Sequence, residues 1–206
     1  MAFSTRLYVQ ELTALLQQID HATLEHIAQL LCATREQRNT IFCCGNGGSA
    51  ATAMHFAMDL AKLTARPGQP RLRVMSLNDS VPAQTAIAND IDFREVFAEQ
   101  LAGFMAPGDI VIGFSTSGRS PNVLRAMEYA NEHGGVSIGI TGSAESALRS
   151  IARYVVSIPA TNVQRVEDVS MVVTHLLCML TLDLLDDTAP VGVARTLGAS
   201  ARATLS

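Results

Sequence analysis

The chain has 206 residues, of which 48% are hydrophobic, and a formal net charge of −4. This length fits one domain with ample core, and an acidic chain without a basic run is not expected to bind nucleic acid as its main function. No apolar stretch reaches the roughly 20 residues that cross a bilayer, and the N-terminus lacks a signal-peptide pattern, so we expect a cytoplasmic protein without a membrane partner.

Four cysteines lie inside apolar segments and lack the paired spacing of a zinc ribbon: Cys32, Cys43, Cys44 and Cys178. Free cysteines in apolar segments are commonly buried. We interpret them as reduced core residues, which agrees with a cytoplasmic location.

The first 38 residues predict a helical arm. Leucines and isoleucines recur at helical spacing in two groups: Leu12, Leu15, Leu16 and Ile19, then Leu24, Ile27, Leu30 and Leu31. This apolar stripe has to be buried either against another subunit or against the chain's own sheet.

Residues 39–187 predict an α/β core, because short apolar runs alternate with longer helical patterns. The expected strands are 41–44, 72–77, 110–115, 136–141 and 154–158, and the expected helices are 50–63, 93–104, 122–133, 144–151 and 167–185. Strands that are apolar throughout are typical of a parallel sheet covered on both faces. We therefore predict a single domain, a three-layer sandwich with a five-stranded parallel sheet, followed by a tail of weak periodicity at 188–206.

A glycine-rich turn follows the first predicted strand. Asn46, Gly47, Gly48 and Ser49 stand between that strand and a helix, with Ser49 near the expected N-cap. Glycines permit close approach to backbone amides, and a helix N-terminus favours an anion, so this turn can hold a phosphate. The alternative is a plain strand-to-helix turn.

A second polar loop follows the third predicted strand and precedes Pro121, a favourable first helical residue. Its four hydroxyl residues are Ser115, Thr116, Ser117 and Ser120. Capping the helix requires only one of them, so we expect the others to bind a phosphate monoester. Ligands of open parallel sheets bind beyond the carboxyl ends of the strands, where both loops fall.

Four ordered motifs resemble the SIS (sugar isomerase) domain family, and within it the phosphoheptose isomerases. They are Cys-Gly-Asn-Gly-Gly-Ser-Ala-Ala from Cys44, Thr-Ala-Ile-Ala-Asn-Asp from Thr85, Pro-Gly-Asp from Pro107, and Ser-Thr-Ser-Gly-Arg-Ser from Ser115. The resemblance covers residues 12–185. It implies a homotetramer with active sites near subunit interfaces, and interconversion of sedoheptulose 7-phosphate with an aldose heptose 7-phosphate.

The same resemblance implies the substrate-binding residues. The phosphate ligands would be Ser49, Ser115, Thr116, Ser117 and Ser120, while Asn46 and Asp90 would hold the sugar. The glycines Gly47 and Gly48 would line the pocket, and Glu167 would also face the substrate.

An aldose–ketose isomerase moves a proton between two carbons, so it needs a carboxylate and a group that titrates near neutrality. His55 and Asp59 are four residues apart and share one helix face. Glu167 and His175 are eight residues apart, about two turns, on the last predicted helix. These four residues are the candidates for proton transfer or metal binding.

In the resembling family these positions are usually His, Glu, Gln and His, and in some members they surround a zinc ion. The resemblance implies Asp59 and His175 as the proton-transfer pair, and His55, Asp59, Glu167 and His175 as zinc ligands. The chain departs from the pattern with Asp59 for Glu, Glu167 for Gln, and Thr52 for an aspartate. Carboxylates are better zinc ligands than a neutral amide, so a metal site is compatible with these changes.

Three functions stay open at this point. The first is an isomerase that uses a zinc ion or the acid–base pair alone, with no nucleotide cofactor. The second is a non-catalytic protein that binds a protein partner, since related SIS proteins resemble the associating protein of the replication initiator DnaA. The third is a phosphosugar sensor without turnover. Retention of Asp59 and His175 favours the first.

Overall fold

The computed structural model describes residues 3–142 and 145–187. Five strands alternate with helices along these residues. The strands are β1 Thr40–Gly45, β2 Arg73–Ser76, β3 Ile110–Phe114, β4 Val136–Thr141 and β5 Tyr154–Ser157. The helices are α1 Thr5–Leu16, α2 His21–Gln37, α3 Gly48–Leu63, α4 Val81–Asp90, α5 Ala98–Phe104, α6 Pro121–Glu132, α7 Ala147–Ile151 and α8 Val163–Asp187, with a 3-10 turn at Phe93–Glu95.

All five strands are parallel and form one sheet in the order β2-β1-β3-β4-β5. The prediction of a five-stranded parallel sheet is confirmed. The order runs outward in both directions from β1, so β1 and β3 flank the point where it reverses. Their paired residues end at Gly45 and Phe114, which brings the two predicted loops to the same edge.

Two apolar cores cover the two faces of the sheet, as the three-layer prediction requires. On one face α2, α3 and α8 pack against alternate strand residues such as Ile41 and Ile112. On the other face α5, α6 and α7 pack against Phe42 and Val111. Adjacent strand residues point to opposite faces, which explains why the strands are apolar throughout.

The second helix of the arm packs in the core of its own chain, whereas the first helix is largely exposed, with Leu15 as its buried residue. Leu24, Ile27 and Leu31 of α2 are fully buried in the core, which is the second of the two predicted alternatives. Helix α1 lies against the start of α8, where the Tyr8 hydroxyl donates to Asp168 Oδ2 at 2.5 Å. Arg165 of α8 also pairs with Glu11 of α1.

Helix α4 was absent from the sequence prediction. Ser80 caps it by accepting from the Ala83 amide, and Pro82 stands in its first turn. None of its residues is buried, so it has no apolar stripe that periodicity could detect. Helix α8 also begins at Val163, four residues earlier than predicted, and α7 begins at Ala147. The predicted tail at 188–206 lies outside the described residues.

One apolar segment is longer than the sequence analysis expected, since no stretch of about 20 apolar residues was predicted. Within α8, Val163–Asp186 is long and apolar enough to cross a membrane by length and composition alone. Its inner face is nonetheless buried on the sheet through Val166, Val169, Val173 and Leu177. Core helices pass the same test, and a core helix is what α8 is in this fold.

Candidate active site

The glycine turn after β1 leads directly into α3, as predicted, although its cap differs. Gly47 is the N-cap, and Ser49 lies in the first turn with its side chain buried. No side-chain hydrogen bond caps the helix. The first amides of α3 therefore keep their hydrogen-bonding capacity for a ligand at the edge of the sheet.

An amide pair links the glycine turn to the hydroxyl loop. Asn46 Nδ2 donates to Asn122 Oδ1 at 2.8 Å, and Asn122 Nδ2 donates to Asn46 Oδ1, also at 2.8 Å. Asn46 keeps one further N–H and one acceptor position, whereas Asn122 Oδ1 also accepts from the Val123 amide at 3.0 Å. Asn46 is thus placed at the predicted site, while Asn122 is a residue that the sequence analysis missed, although it directly follows Pro121.

Asn78 is a second missed residue and supports the glycine turn from the end of β2. Its side chain is buried, accepts from the Gly45 amide at 3.1 Å and donates to the Gly45 carbonyl at 2.9 Å. These two hydrogen bonds hold the end of β1 in place. Sequence analysis could have identified Asn78, because it is a polar residue immediately after a predicted strand. No function was assigned to the loop in which it lies.

The hydroxyl loop after β3 is also ordered by its own contacts. The Ser115 and Ser120 hydroxyl oxygens are 3.0 Å apart, and the Arg119 amide donates to Ser117 Oγ at 3.2 Å. The Thr116 carbonyl accepts from the Gly142 amide, which ties the loop to the end of β4. The four predicted hydroxyl residues therefore lie together at this edge.

Gly118 permits the sharp turn inside this loop. Its φ is +61°, and a Cβ there would stand 2.4 Å from the hydroxyl oxygen of Ser146. That buried hydroxyl has no hydrogen-bond partner among the described residues. Both the backbone conformation and the close approach require glycine.

Three of the four predicted acid–base residues form one cluster. His55 and Asp59 of α3 are joined by a 3.1 Å contact between Nε2 and Oδ2. His175 of α8 places its Nε2 2.9 Å from His55 Nε2 and 3.7 Å from the same carboxylate oxygen. The side chains of His55, Asp59 and His175 are 36%, 18% and 51% exposed, so the cluster opens outward.

This cluster of His55, Asp59 and His175 has the donor set of a metal site. Its ligand atoms all lie within 4.8 Å of one another. Two ligands of a tetrahedral zinc ion stand about 3.3 Å apart, which is close to the three separations measured here. Two imidazoles and one carboxylate therefore fit a divalent ion and leave a position for another ligand.

Cys178 lies in the same region and is buried in the core close to Asp59. Burial, together with the negative charge of Asp59, raises the pKa of its thiol to about 12. A thiol with this pKa is neutral at physiological pH, and Cys178 packs in the core, as the sequence analysis expected.

Glu167, the fourth predicted ligand, lies elsewhere on α8. A Cβ added to Gly48 would stand 2.3 Å from Glu167 Oε1, so this carboxylate covers the first turn of α3. His55 lies seven residues after Gly48 on α3, and His175, which contacts it, lies eight residues after Glu167 on α8. The two helices therefore run parallel from the loops toward the cluster, with Glu167 at the loop end.

Asp90 is not brought to the loops by a described contact. It ends α4 and is exposed, and its carboxylate accepts from the neighbouring Asn89 side chain at 2.7 Å. Helix α4 begins at the exposed Val81, and the exposed Ile91 and Phe93 follow its end. The predicted sugar contact of Asp90 stays a prediction.

Exposed methionines surround the histidine cluster. Met54 and Met58 flank His55 and Asp59 on α3, and Met179 follows His175 by one turn on α8. Exposed apolar side chains grouped on two neighbouring helices are typical of a protein interface. The cluster thus lies on a surface with the properties of a protein interface.

Comparisons with known proteins agree with this architecture. Residues 7–142 match the SIS domain. A phosphoheptose isomerase of Thermodesulfovibrio yellowstonii is 36% identical over 162 residues, covering 79% of this chain and 80% of that protein. One from Trichlorobacter lovleyi is 35% identical over 175 residues, covering 84% and 89%. The structure of the Neisseria gonorrhoeae phosphoheptose isomerase superposes with a TM-score of 0.79 at 27% identity, covering 89% and 97% of the two chains.

Proposed function

The chain belongs to the SIS-domain family, with phosphoheptose isomerases among its relatives, and we propose that it interconverts sedoheptulose 7-phosphate and D-glycero-D-manno-heptose 7-phosphate. The observation that carries this proposal is the parallel course of α3 and α8. Both helices start at the anion-binding edge and lead to one acid–base cluster.

The phosphate is held at the loop edge. The hydroxyls of Ser49, Ser115, Thr116, Ser117 and Ser120, together with the first amides of α3, supply donors that suit a phosphate monoester. Asn46 offers its remaining amide hydrogen and acceptor position to the sugar hydroxyls. Asp90, at the end of α4, would also bind the sugar.

The carbonyl end of the sugar reaches the cluster. Asp59 takes the proton from C1 of the ketose and returns it to C2, which forms the aldose through an enediol. His175 moves the second proton from the C1 hydroxyl to the C2 oxygen. A carboxylate and an imidazole in one cluster are the groups that this exchange needs.

A divalent ion such as zinc would be held by His55, Asp59 and His175. When bound, it would polarise the substrate carbonyl. The place of Glu167 as a further ligand stays a prediction, since its carboxylate lies at Gly48.

We also propose a homotetramer in which another subunit covers the histidine cluster. The cluster is partly exposed, and Met54, Met58 and Met179 offer apolar contact area around it. Exclusion of water by a second subunit would strengthen the electrostatic contacts of the site.

The test is incubation of the purified protein with sedoheptulose 7-phosphate in deuterium oxide, with and without added zinc, followed by NMR. We expect the aldose to appear with deuterium incorporated at the carbons that exchange protons. Absence of both the aldose and deuterium exchange under every metal condition would overturn the proposal. Phosphosugar binding without exchange would then favour a sensor, and its absence would favour a DnaA-type protein-binding role.

A further inference from the structure

Ser146 carries a buried hydroxyl that has no hydrogen-bond partner among the described residues. The residue is only 5% exposed, so bulk water does not reach the hydroxyl. Buried hydroxyls are usually bonded, and an exception requires a specific explanation. Ser146 stands at the N-cap of α7, but its side chain makes no capping hydrogen bond. Helix capping therefore does not explain this hydroxyl.

The Ser146 side chain lies directly against the hydroxyl loop that follows β3. A Cβ at Gly118 of this loop would overlap with Ser146 and would stand 2.7 Å from the Thr141 hydroxyl oxygen. The Gly118 carbonyl accepts from the Leu148 amide at 3.0 Å, so the start of α7 is bonded to the loop. Ser146 is therefore fixed against the backbone of the loop, while its own hydroxyl stays unbonded.

The hydroxyl loop has unbonded backbone groups next to this contact. Its turn is closed by a hydrogen bond from the Gly118 amide to the Ser115 carbonyl at 2.9 Å. Among the described residues, the Thr116 and Ser117 amides and the Ser117 carbonyl take part in no hydrogen bond. Successive free amides in a turn suit the oxygens of a phosphate. The Ser117 carbonyl, which directly precedes Gly118, offers the acceptor that the Ser146 hydroxyl lacks.

We propose that Ser146 is a positioning residue of the phosphate site, whose hydroxyl donates to the Ser117 carbonyl once the loop has bound the phosphate. Ser117 carries both an amide for the phosphate and the carbonyl for Ser146, so one rotation of the loop backbone serves both. A ligand stabilises the conformation that it binds best, and here that conformation gains a buried hydrogen bond. The inference rests on the proposed function and adds a residue outside both loops to its phosphate end.

Removal of the hydroxyl should affect the free and the phosphate-bound protein differently. In the free protein Ser146→Ala deletes an unbonded polar group and breaks no hydrogen bond, so the melting temperature should stay unchanged or rise. In the bound protein the same change deletes one hydrogen bond, so the affinity for phosphate should fall. A residue with a purely structural role would not lower affinity without lowering stability.

The experiment compares binding of inorganic phosphate, measured by calorimetry, with thermal unfolding of the free protein. Ser146→Ala should weaken phosphate binding about tenfold and leave the melting temperature unchanged or higher. With sedoheptulose 7-phosphate, KM should rise by a similar factor while kcat stays within about twofold. Ser146→Cys, which nearly keeps the size of the side chain and has a weak donor, should restore part of the affinity.

The matched control is Ser137→Ala, which also removes a buried serine hydroxyl. Ser137 lies near the start of β4, at the end of the strand opposite to the loops. Its hydroxyl donates to Asn131 Oδ1 at 2.7 Å and accepts from the Arg153 amide at 2.9 Å. Loss of these bonds should lower the melting temperature and leave phosphate affinity unchanged.

The outcomes separate this inference from the isomerase proposal. Unaltered phosphate affinity in Ser146→Ala, or a melting temperature lowered as in Ser137→Ala, would overturn the inference and leave the isomerase proposal untouched. Weaker phosphate binding in Ser146→Ala, together with no isomerisation by the unaltered protein, would support the inference and overturn the isomerase proposal. An unaltered protein that neither binds phosphate nor isomerises the sugar would overturn both.

Discussion

The loop edge and the histidine cluster are built in opposite ways. At the loop edge the polar groups are bonded within one chain, through the Asn46–Asn122 pair, the Asn78 bridge and the Ser115–Ser120 contact. In the cluster, His55 and His175 meet across two helices and remain partly exposed. The loop edge is ordered by hydrogen bonds within the chain, whereas the cluster is partly open to solvent.

Under the proposed function, this difference separates substrate binding from the chemical step. A loop edge that is already ordered binds a phosphate without first losing conformational freedom. An acid–base cluster works best where water is excluded, which the single chain does not achieve for His175. Changes at the cluster should therefore affect turnover, and changes at the loop edge should affect stability and substrate affinity.

The largest expected effect comes from Asp59→Asn. The substitution keeps the size of the side chain but removes the base, so we expect kcat to fall by roughly 10²–10⁴ while phosphate affinity is unchanged. Isomerisation followed by NMR and phosphate titration by calorimetry measure the two quantities. Asp183→Asn, an exposed aspartate on α8, is the matched control, and equal turnover in both variants would remove Asp59 from its role.

A positive charge among the exposed methionines should weaken the proposed contact between the histidine cluster and a second subunit. Met58→Lys places a cation in the expected subunit contact, so we expect smaller assemblies by light scattering and an activity loss on the order of 100-fold, as for a small misplacement of catalytic groups. Phe104→Lys is the control, because Phe104 is exposed on the opposite face of the sheet. An unchanged assembly in Met58→Lys would contradict the interface.

Gly48→Ala tests the close approach of Glu167. The new methyl group would displace the carboxylate, and we expect kcat/KM to fall about tenfold through weaker substrate binding, with a small change in stability because the end of a flexible side chain can move. The control is Gly103→Ala in α5, where a Cβ meets nothing within 4 Å. That change should instead stabilise the helix by about 0.5–1 kcal/mol in denaturant unfolding.

The smallest effect on turnover should come from the amide pair. Asn46→Ala and Asn122→Ala should each lower the free energy of unfolding by about 1–3 kcal/mol, because each leaves the other amide partly unbonded. In the double variant the losses should not add, with a coupling energy of at least about 0.5 kcal/mol. Additive losses in denaturant titrations would mean that the two loops are independent.

The sheet was predictable from the sequence. The strand bounds agree with the prediction to within a residue or two, because buried parallel strands are apolar on both faces and stand out from their polar loops. Helix α4 was missed because it buries no residue and so lacks a periodic apolar signal. The start of α8 was missed for a related reason, since its first turn carries exposed residues such as Val163.

The candidate site could be predicted from the sequence as a set of residues, but its arrangement only in part. His55 and Asp59 share a helix face, which spacing alone shows. The meeting of His175 with both of them, and the displacement of Glu167 to Gly48, depend on how α8 lies along α3. Spacing along one helix carries no information about the register between two helices.

Local patterns in the sequence thus determined the strands, the two polar loops and the candidate acid–base groups, because apolar periodicity and turn chemistry act over a few residues. Only the tertiary structure decided that Asn122 pairs with Asn46, that Asn78 holds the end of β1, and that three of the four candidate ligands meet without Glu167. These contacts join residues that are 33 to 120 positions apart. They arise from the packing of whole helices and strands, which brings together side chains that no local pattern relates.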